Sequence, residues 1–418
     1  MKKLITLAFL LLASSMFAAE FPDISIADLK EAIADKKVTV IDVNGAASYK
    51  AGHIPGAVDF ATFGRTIDIT VNAGPETTLT GPVERYISID NVCAWPNLNV
   101  LPDGTIIAAI FNRPSHGQEA GSIEAWASQD GRFWEKRGVV APHEPDTNRM
   151  HVAAGLAKNG DLVMLSTGFT NLQQPGQSKK LPFRDRLLPP WVCRSSDGGR
   201  TWTHTNSFPS PPEGFGPFIV FGDIKAGADG ALHASAYAQK AGDPEKEDRA
   251  WHFRSDDDGR TWRIISVIGT GHNETALLHL EGKRWLAAAR TIGPQQVDLF
   301  RSNDDGTTWA GPEHVSEAKQ IPADLARLAD RRLLLTYGTR VADQRGVLGK
   351  LSSDEGKTWS APIRLADSLS SRDCGYPSSI QRPDGKIVTA YYSAGVGDHT
   401  RYHMGVVIWT PPSSTPTT

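Results

Sequence analysis

The chain has 418 residues, 40% of them apolar and 22% charged, with 44 basic against 47 acidic side chains. That is ample apolar material for a buried core, and a formal net charge of −3 argues against a nucleic-acid or anionic-membrane partner. With 39 glycines, 27 prolines and few helical-period patterns, the composition points to an all-β body rich in turns. Taking the chain in order, Lys2 and Lys3 precede an apolar run at 4–12, then small residues up to Ala18-Ala19. This is the pattern of a secretory signal peptide over 1–19, and it predicts a periplasmic or secreted mature chain with no membrane insertion. Cys93, Cys193 and Cys374 supply neither a disulfide framework nor a C-x-x-C metal spacing, and read as small buried residues.

Residues 21–60 differ in character from the rest. Ile26, Leu29 and Ile33 lie at helical spacing behind Ser25, a good N-cap, which predicts a helix over 25–34. A short buried strand is expected at 38–43. Ile41-Asp42-Val43, followed by Tyr49-Lys50-Ala51-Gly52-His53-Ile54-Pro55-Gly56-Ala57, resembles the opening of a rhodanese domain. The resemblance covers under half of such a domain. The catalytic cysteine loop it implies is missing, since no cysteine precedes Cys93, so sulfur transfer is not expected. The segment reads as a truncated module, and 61–82, with Gly74-Pro75 and Gly81-Pro82, as a linker.

From residue 83 to 410 an apolar run, a Gly/Asp turn and a second apolar run recur. The turns are centred at Asp103, Gly160, Asp229, Gly282, Asp330 and Asp384, and each predicts a β-hairpin. A second repeat follows the hairpins. Residues 195–202 (SSDGGRTW), 255–262 (SDDDGRTW), 302–309 (SNDDGTTW) and 352–359 (SSDEGKTW) all fit S-x-D-x-G-x-x-W. In such a turn the carboxylate accepts backbone N–H bonds, the glycine takes positive φ and the tryptophan packs the turn down. A fifth copy at 127–134 has Gln129 in the Asp position. Together the repeats predict a six-bladed β-propeller of four-stranded blades, with these turns between third and fourth strands. The last blade ends at Trp409 with three strands, and 83–89 is a spare strand able to close the ring; 411–418 is a tail.

That topology puts the hairpin turns and Asp-containing turns on one face. Residues at the starts of first strands and the ends of second strands gather on the other. The first group includes Trp95, Arg149, His151, Asp223, Glu274, Asp373 and Tyr376; the second includes Arg113, Tyr237, Arg290, Tyr337 and Arg340. Any one of them alone reads as a rim charge. As a set, arginines suit a carboxylate ligand through forked, charge-assisted bonds, and a Tyr beside a Glu suits a base-activated nucleophile.

The S-x-D-x-G-x-x-W turns resemble the Asp boxes of sialidases (neuraminidases), over roughly 85–410. Asn273-Glu274-Thr275 with Ala287-Ala288-Ala289-Arg290 resembles the sialidase segment bearing the Glu that activates tyrosine and a carboxylate-binding Arg. Tyr337-Gly338-Thr339-Arg340 resembles the site of another such arginine, and Cys374-Gly375-Tyr376-Pro377-Ser378-Ser379 the segment of the nucleophilic tyrosine. The chain departs from the family where it reads Ala94-Trp95-Pro96 in place of Arg-Ile-Pro, which removes one arginine; Arg113 and Arg149 are both open as substitutes.

The resemblance implies an exported exo-glycosidase acting on a glycan with a terminal acidic sugar, sialic acid or a relative. Tyr376 would be nucleophile, Glu274 its base, and Glu119 or Asp223 the acid/base. Arg290, Arg340, Arg113, Arg149, His151, Asp373 and Tyr237 would contact substrate. No cofactor or metal is expected, because the Asp256-Asp257-Asp258 run falls in a turn motif. A carbohydrate-binding or scaffold propeller without catalysis is the competing reading.

Overall fold

A computed structural model of the chain describes residues 41–42, 58–59, 79, 81–172, 181–240, 247–367, 371–396 and 399–413. It divides into two compact units, Met1–Phe63 and Gly64–Thr418. In the first, Ile41–Asp42 pairs in parallel with Val58–Asp59, so part of the strand expected at 38–43 is present. The expected signal peptide, the helix at 25–34 and nearly all of the 61–82 segment lie outside the described residues.

The second unit is all-β, and its described strands group into six antiparallel sets of four, apart from the short antiparallel pair Phe169–Thr170 with Arg186–Leu187. Ala94–Val100, Ile106–Phe111, Ile123–Ser128 and Glu135–Ala141 make the first. His151–Leu156, Leu162–Thr167, Trp191–Ser195 and Thr203–Thr205 make the second; Ile219–Ala226, Leu232–Gln239, Asp248–Ser255 and Arg263–Thr270 the third. A short parallel pairing, Gly222 with Ala153 and Asp223 with Ala154, joins these two into one eight-stranded sheet. The fourth set is His272–Glu281, Arg284–Thr291, Val297–Ser302 and Ala310–His314. The fifth is Gln320–Arg327, Leu333–Thr339, Gly346–Ser352 and Ile363–Ala366. The sixth is Cys374–Gln381, Ile387–Ser393 and His403–Trp409, completed by Glu84–Asp90 from the start of the unit. The spare strand therefore pairs with the last one, as the three-stranded ending of the sequence required.

Burial explains the composition of each position in a set. Second strands such as Ile106–Phe111 and Leu333–Thr339 are buried throughout, whereas the fourth strands Thr203–Thr205 and Ala310–His314 are exposed throughout. First strands touch one another in succession, the first set against the second and on through to the sixth, which touches the first. A strand covered on both faces needs an unbroken apolar or small-residue run, and the outermost strand does not.

The repeated turns form as their chemistry requires. Asp197 Oδ1 accepts from the N–H groups of Arg200 (2.9 Å) and Thr201 (2.9 Å), Thr201 Oγ1 donates to Oδ2 at 2.6 Å, and Trp202 Nε1 donates to Gly199 O at 3.0 Å. The copies around Asp257, Asp304 and Asp354 repeat the carboxylate bonds. In the divergent copy the register expected from sequence shifts by one. Ser128 and Asp130, not Ala127 and Gln129, take the Ser and Asp roles, with Arg132 N donating to Asp130 at 2.8 Å. Its turn is one residue shorter.

Each turn also docks on the preceding set through an arginine. Arg137 donates to Gly198 O (3.1 Å), Arg194 to Asp258 O (2.5 Å), Arg301 to Glu355 O (3.0 Å) and Arg382 to Asp130 O (2.9 Å). Arg254 meets the Asp305 carboxylate instead. The acceptor is always the residue before the turn glycine. Cys93, Cys193 and Cys374 are buried free thiols. Among the described residues, no helix is long and apolar enough to cross a membrane.

Candidate active site

A pocket of about 340 Å³ opens where the first strands meet. Every first strand contributes to its wall: Trp95, His151, Asp223, Glu274, Asp324 and Tyr376, in set order. Tyr237 and Arg290 reach it from second strands, His116 and Arg184 from loops. Bulges aim these side chains. Pairing registers shift between Ala94 and Asn97, Phe221 and Lys225, His272 and Thr275, Gln320 and Ala323, and Gly375 and Ser378. A bulge turns a strand and redirects a side chain that strict alternation would send elsewhere. Trp95 (φ 46°) and Tyr376 (φ 50°) sit in the left-handed region, which is unfavourable for bulky residues and clusters at functional sites.

The chemistry centres on Tyr376. Its hydroxyl donates to Glu274 Oε1 at 2.5 Å, and Arg290 Nη1 donates both to Glu274 Oε2 (2.5 Å) and to the Tyr376 oxygen (3.2 Å). Trp95, Phe221 and Tyr392 pack around the ring, with centroids 6.5, 5.9 and 5.6 Å away. Burial, reinforced by the Glu274 charge, pushes the Tyr376 hydroxyl well above its ordinary range, so at rest it is a neutral phenol aimed at an acceptor. Asn273 braces the base: its Oδ1 accepts from Glu274 N at 2.8 Å and its Nδ2 donates to Asp248 at 3.2 Å. Burial opposes the Arg290 charge, but the Glu274 carboxylate outweighs it and holds the guanidinium protonated.

The remaining expected site residues separate into two groups. His151 and Tyr237 line the pocket; burial pushes His151 down to about 3, so it is a neutral imidazole, and its Nδ1 pairs with Thr167 Oγ1 at 3.0 Å. Asp223 also lines it, already engaged by Lys225 Nζ (2.6 Å) and Asn97 Nδ2 (2.8 Å). Burial and the Asp223 charge push the neighbouring Asp324 carboxyl upward. Arg340 is not part of the pocket lining, although its Cζ lies 5.6 Å from the Tyr376 ring centroid. Asp373 also stands behind the wall, bonded to His116, Tyr392 and Tyr402.

Arg113, Arg149 and Glu119 are not brought to the pocket. Arg113 is exposed, with Nε on Ala120 O at 2.8 Å; Arg149 is 2% exposed and lies 3.6 Å over the Trp191 ring. Glu119 is exposed on the loop beside His116. Neither arginine lines the pocket beside Trp95 and Pro96. Arg184, which sequence reasoning missed, lines the pocket from a loop no strand pattern marks. It donates to the carbonyls of His116 (2.8 Å) and Gly117 (2.7 Å). Among the described residues no cluster of three or more His, Cys, Asp or Glu side chains could hold a metal ion.

The BNR repeat-like domain matches residues 104–389, and the Rhodanese-like domain matches 25–86. The second match runs past the 21–60 segment and into Glu84–Asp90. A sialidase of Micromonospora viridifaciens is 25% identical over 297 residues, 63% of this chain and 44% of the relative, so the chain spans under half of that protein's length. A crystal structure of a Dyadobacter fermentans protein of unknown function is similar with a TM-score of 0.69 at 22% identity, covering 79% of this chain and 99% of that one. Hadza microbial sialidase Hz136 is similar at 0.59 and 18% identity, covering 74% and 65% of the two chains. Trypanosoma rangeli sialidase is similar at 0.59 and 16% identity, covering 79% and 58%. At such identities the likeness is one of fold.

Proposed function

Because the chain belongs to the BNR repeat-like domain family, we propose that its pocket is the active site of a glycosidase that attacks a terminal acidic sugar through Tyr376. The six strand sets are read as the blades of one propeller and the pocket as its axial mouth; the circuit of first-strand contacts and the closing pair of Glu84–Asp90 with His403–Trp409 support that reading. The observation that carries the function is the Tyr376 hydroxyl held 2.5 Å from Glu274 in a buried site. A phenol is a poor nucleophile until a base takes its proton, and here the base is already in hydrogen-bond contact.

In the first step Tyr376 attacks the anomeric carbon while Glu274 accepts the phenol proton. A phenol in place of a carboxylate nucleophile avoids repulsion by an anionic sugar, and tyrosine-based sialidases are a recognised exception to the two-carboxylate scheme. Arg290 would hold the substrate carboxylate from the pocket wall, with Arg340 adding positive charge from behind the Tyr376 ring; the Glu274 carboxylate favours the charged form of both guanidiniums against burial. Water then displaces tyrosine. Two displacements at one carbon predict a first product of retained anomeric configuration.

The 25% identity to a sialidase favours sialic acid or a relative as the sugar. The test is the purified chain against fluorogenic acidic glycosides, with the first product anomer read by NMR. Cleavage with retention is expected, and an inverted first product refutes tyrosine attack. The Ala94-Trp95-Pro96 opening, which lacks one arginine, favours a second reading as a carbohydrate-binding propeller. Binding of the same glycosides without turnover would select it.

A further inference from the structure

The geometry points to His116 as the group that protonates the leaving oxygen, and to Asp373 as the carboxylate that positions it; this rests on the Tyr376 reading. A glycoside with an alkyl or sugar leaving group needs a proton as its bond breaks, and neither acid expected from sequence is placed to give one. Glu119 is exposed and does not line the pocket, and Asp223 is bound by Lys225 at 2.6 Å. His116 lines the pocket with its side chain 41% exposed. Its Nδ1 sits 2.9 and 3.0 Å from the two Asp373 oxygens, which also accept from the Tyr392 and Tyr402 hydroxyls. Asp373 is thereby saturated and cannot contact a sugar as expected from sequence, and those bonds outweigh burial to hold it ionised.

The loop carrying His116 is pinned on three sides. Arg184 donates to the His116 and Gly117 carbonyls, Asn148 Nδ2 donates to Gly117 O at 2.8 Å, and the Trp95 ring meets the imidazole edge-on at 4.9 Å. Gly117 itself has φ +62°, and a Cβ there would lie 2.3 Å from Met150 Sδ, so this turn favours glycine. Tyr376 packs on the same tryptophan at 6.5 Å, so the two groups border one cavity. A carboxylate on Nδ1 fixes that proton and leaves Nε2 to exchange one with substrate.

The protons balance over the cycle. In glycosylation the Tyr376 proton passes to Glu274, the glycosidic C–O bond breaks, and the leaving oxygen takes the Nε2 proton of a His116 imidazolium. In deglycosylation water attacks the anomeric carbon and returns a proton to Nε2, while Tyr376 leaves and regains its proton from Glu274. His116 ends protonated, Glu274 ionised, and one water has been consumed.

The test compares 4-methylumbelliferyl α-sialoside, whose phenolic leaving group needs little protonation, with 3′-sialyllactose, which needs it fully. His116→Gln should lower kcat/KM for sialyllactose by about 10²–10⁴-fold and for the aryl sialoside by about tenfold or less. Asp373→Asn should move the ratio the same way by a smaller factor. Added imidazole should restore sialyllactose turnover to His116→Ala, which guards against a folding loss. Equal losses on both probes, or an unchanged sialyllactose rate, overturn the His116 assignment and leave Tyr376 standing if Tyr376→Phe is inactive on the aryl probe. A Tyr376→Phe variant with wild-type aryl turnover, or a wild type that cleaves neither probe, overturns the underlying reading and this one with it.

Discussion

Replacing Glu274 by glutamine keeps the side chain's length and volume but removes its charge and one acceptor oxygen. In the wild type Oε1 accepts from the Tyr376 hydroxyl and Oε2 from Arg290, each at 2.5 Å. Arginine can only donate, so the amide oxygen must turn toward Arg290 and the NH₂ toward Tyr376. The phenol then faces a donor and its proton has no acceptor. Losing a general base of this kind lowers turnover by about 10²–10⁴-fold, or about 2.7–5.4 kcal/mol of transition-state stabilisation. Stability should fall too, because Arg290 loses its counter-charge. With side chains 17% and 11% exposed, and with Tyr376 still accepting from Arg290 at 3.2 Å, the loss should be about 1–3 kcal/mol, below that for a fully buried pair. The assay is kcat/KM on 4-methylumbelliferyl α-sialoside alongside a urea melt. A folded Glu274→Gln variant within about threefold of wild-type kcat/KM would refute base catalysis by Glu274.

Arg340→Ala should raise KM for an acidic glycoside by about tenfold or more while weakening any carboxylate inhibitor in parallel; an unchanged inhibitor Kd would remove Arg340 from the clamp. Asp197→Ala should cost only about 1 kcal/mol, since the Arg200 and Thr201 N–H groups it strands are exposed and can be rehydrated, and turnover should hold; a collapse of activity at constant urea midpoint would contradict its structural role. Burial pushes His252 and His403 each down to about 4, so the unfolded chain binds more protons below the ordinary histidine pKa of about 6.5. Stability should therefore be full above about pH 6.5 and decline as pH falls toward about 4. A urea midpoint flat over that window refutes the assignment. Removing residues 1–80 should leave a cooperative fold, whereas removing 1–90 strips Glu84–Asp90 from His403–Trp409, a strand buried along all its 7 residues, and should cause aggregation. Equal solubility of the two truncated chains would dismiss the closing strand.

The hairpins and the turn motifs were legible because their determinants are local. A Gly/Asp turn between two apolar runs pairs those runs whatever surrounds them, and an S-x-D-x-G-x-x-W segment satisfies its own backbone, as the bonds to Asp197, Asp257, Asp304 and Asp354 show. Where the spacing loosened, local reading lost its grip. Counting placed Gln129 in the Asp position, but the turn closes one residue shorter on Asp130 because that carboxylate reaches Arg132 N.

Strand order likewise led to Glu274, Arg290 and Tyr376, since each lies near the end of a strand in the hairpin pattern, although bulges decide how Glu274 and Tyr376 are aimed. Arg113 shows the limit: it stands two residues beyond Ile106–Phe111, in a loop, and there the Ala120 carbonyl decides where it points. His116, Arg184 and Asp373 belong to one assembly drawn from loops far apart in the chain, joined only when the sixth set of strands comes round beside the first. The arginines that staple each turn to the preceding set are invisible for the same reason, because donor and acceptor lie 51 to 252 residues apart. Period and turn chemistry act within a few residues and so can be read along the chain. Which side chains share a pocket depends on bulges and on the closing of distant strands, and those are settled only when every set has packed against its neighbours.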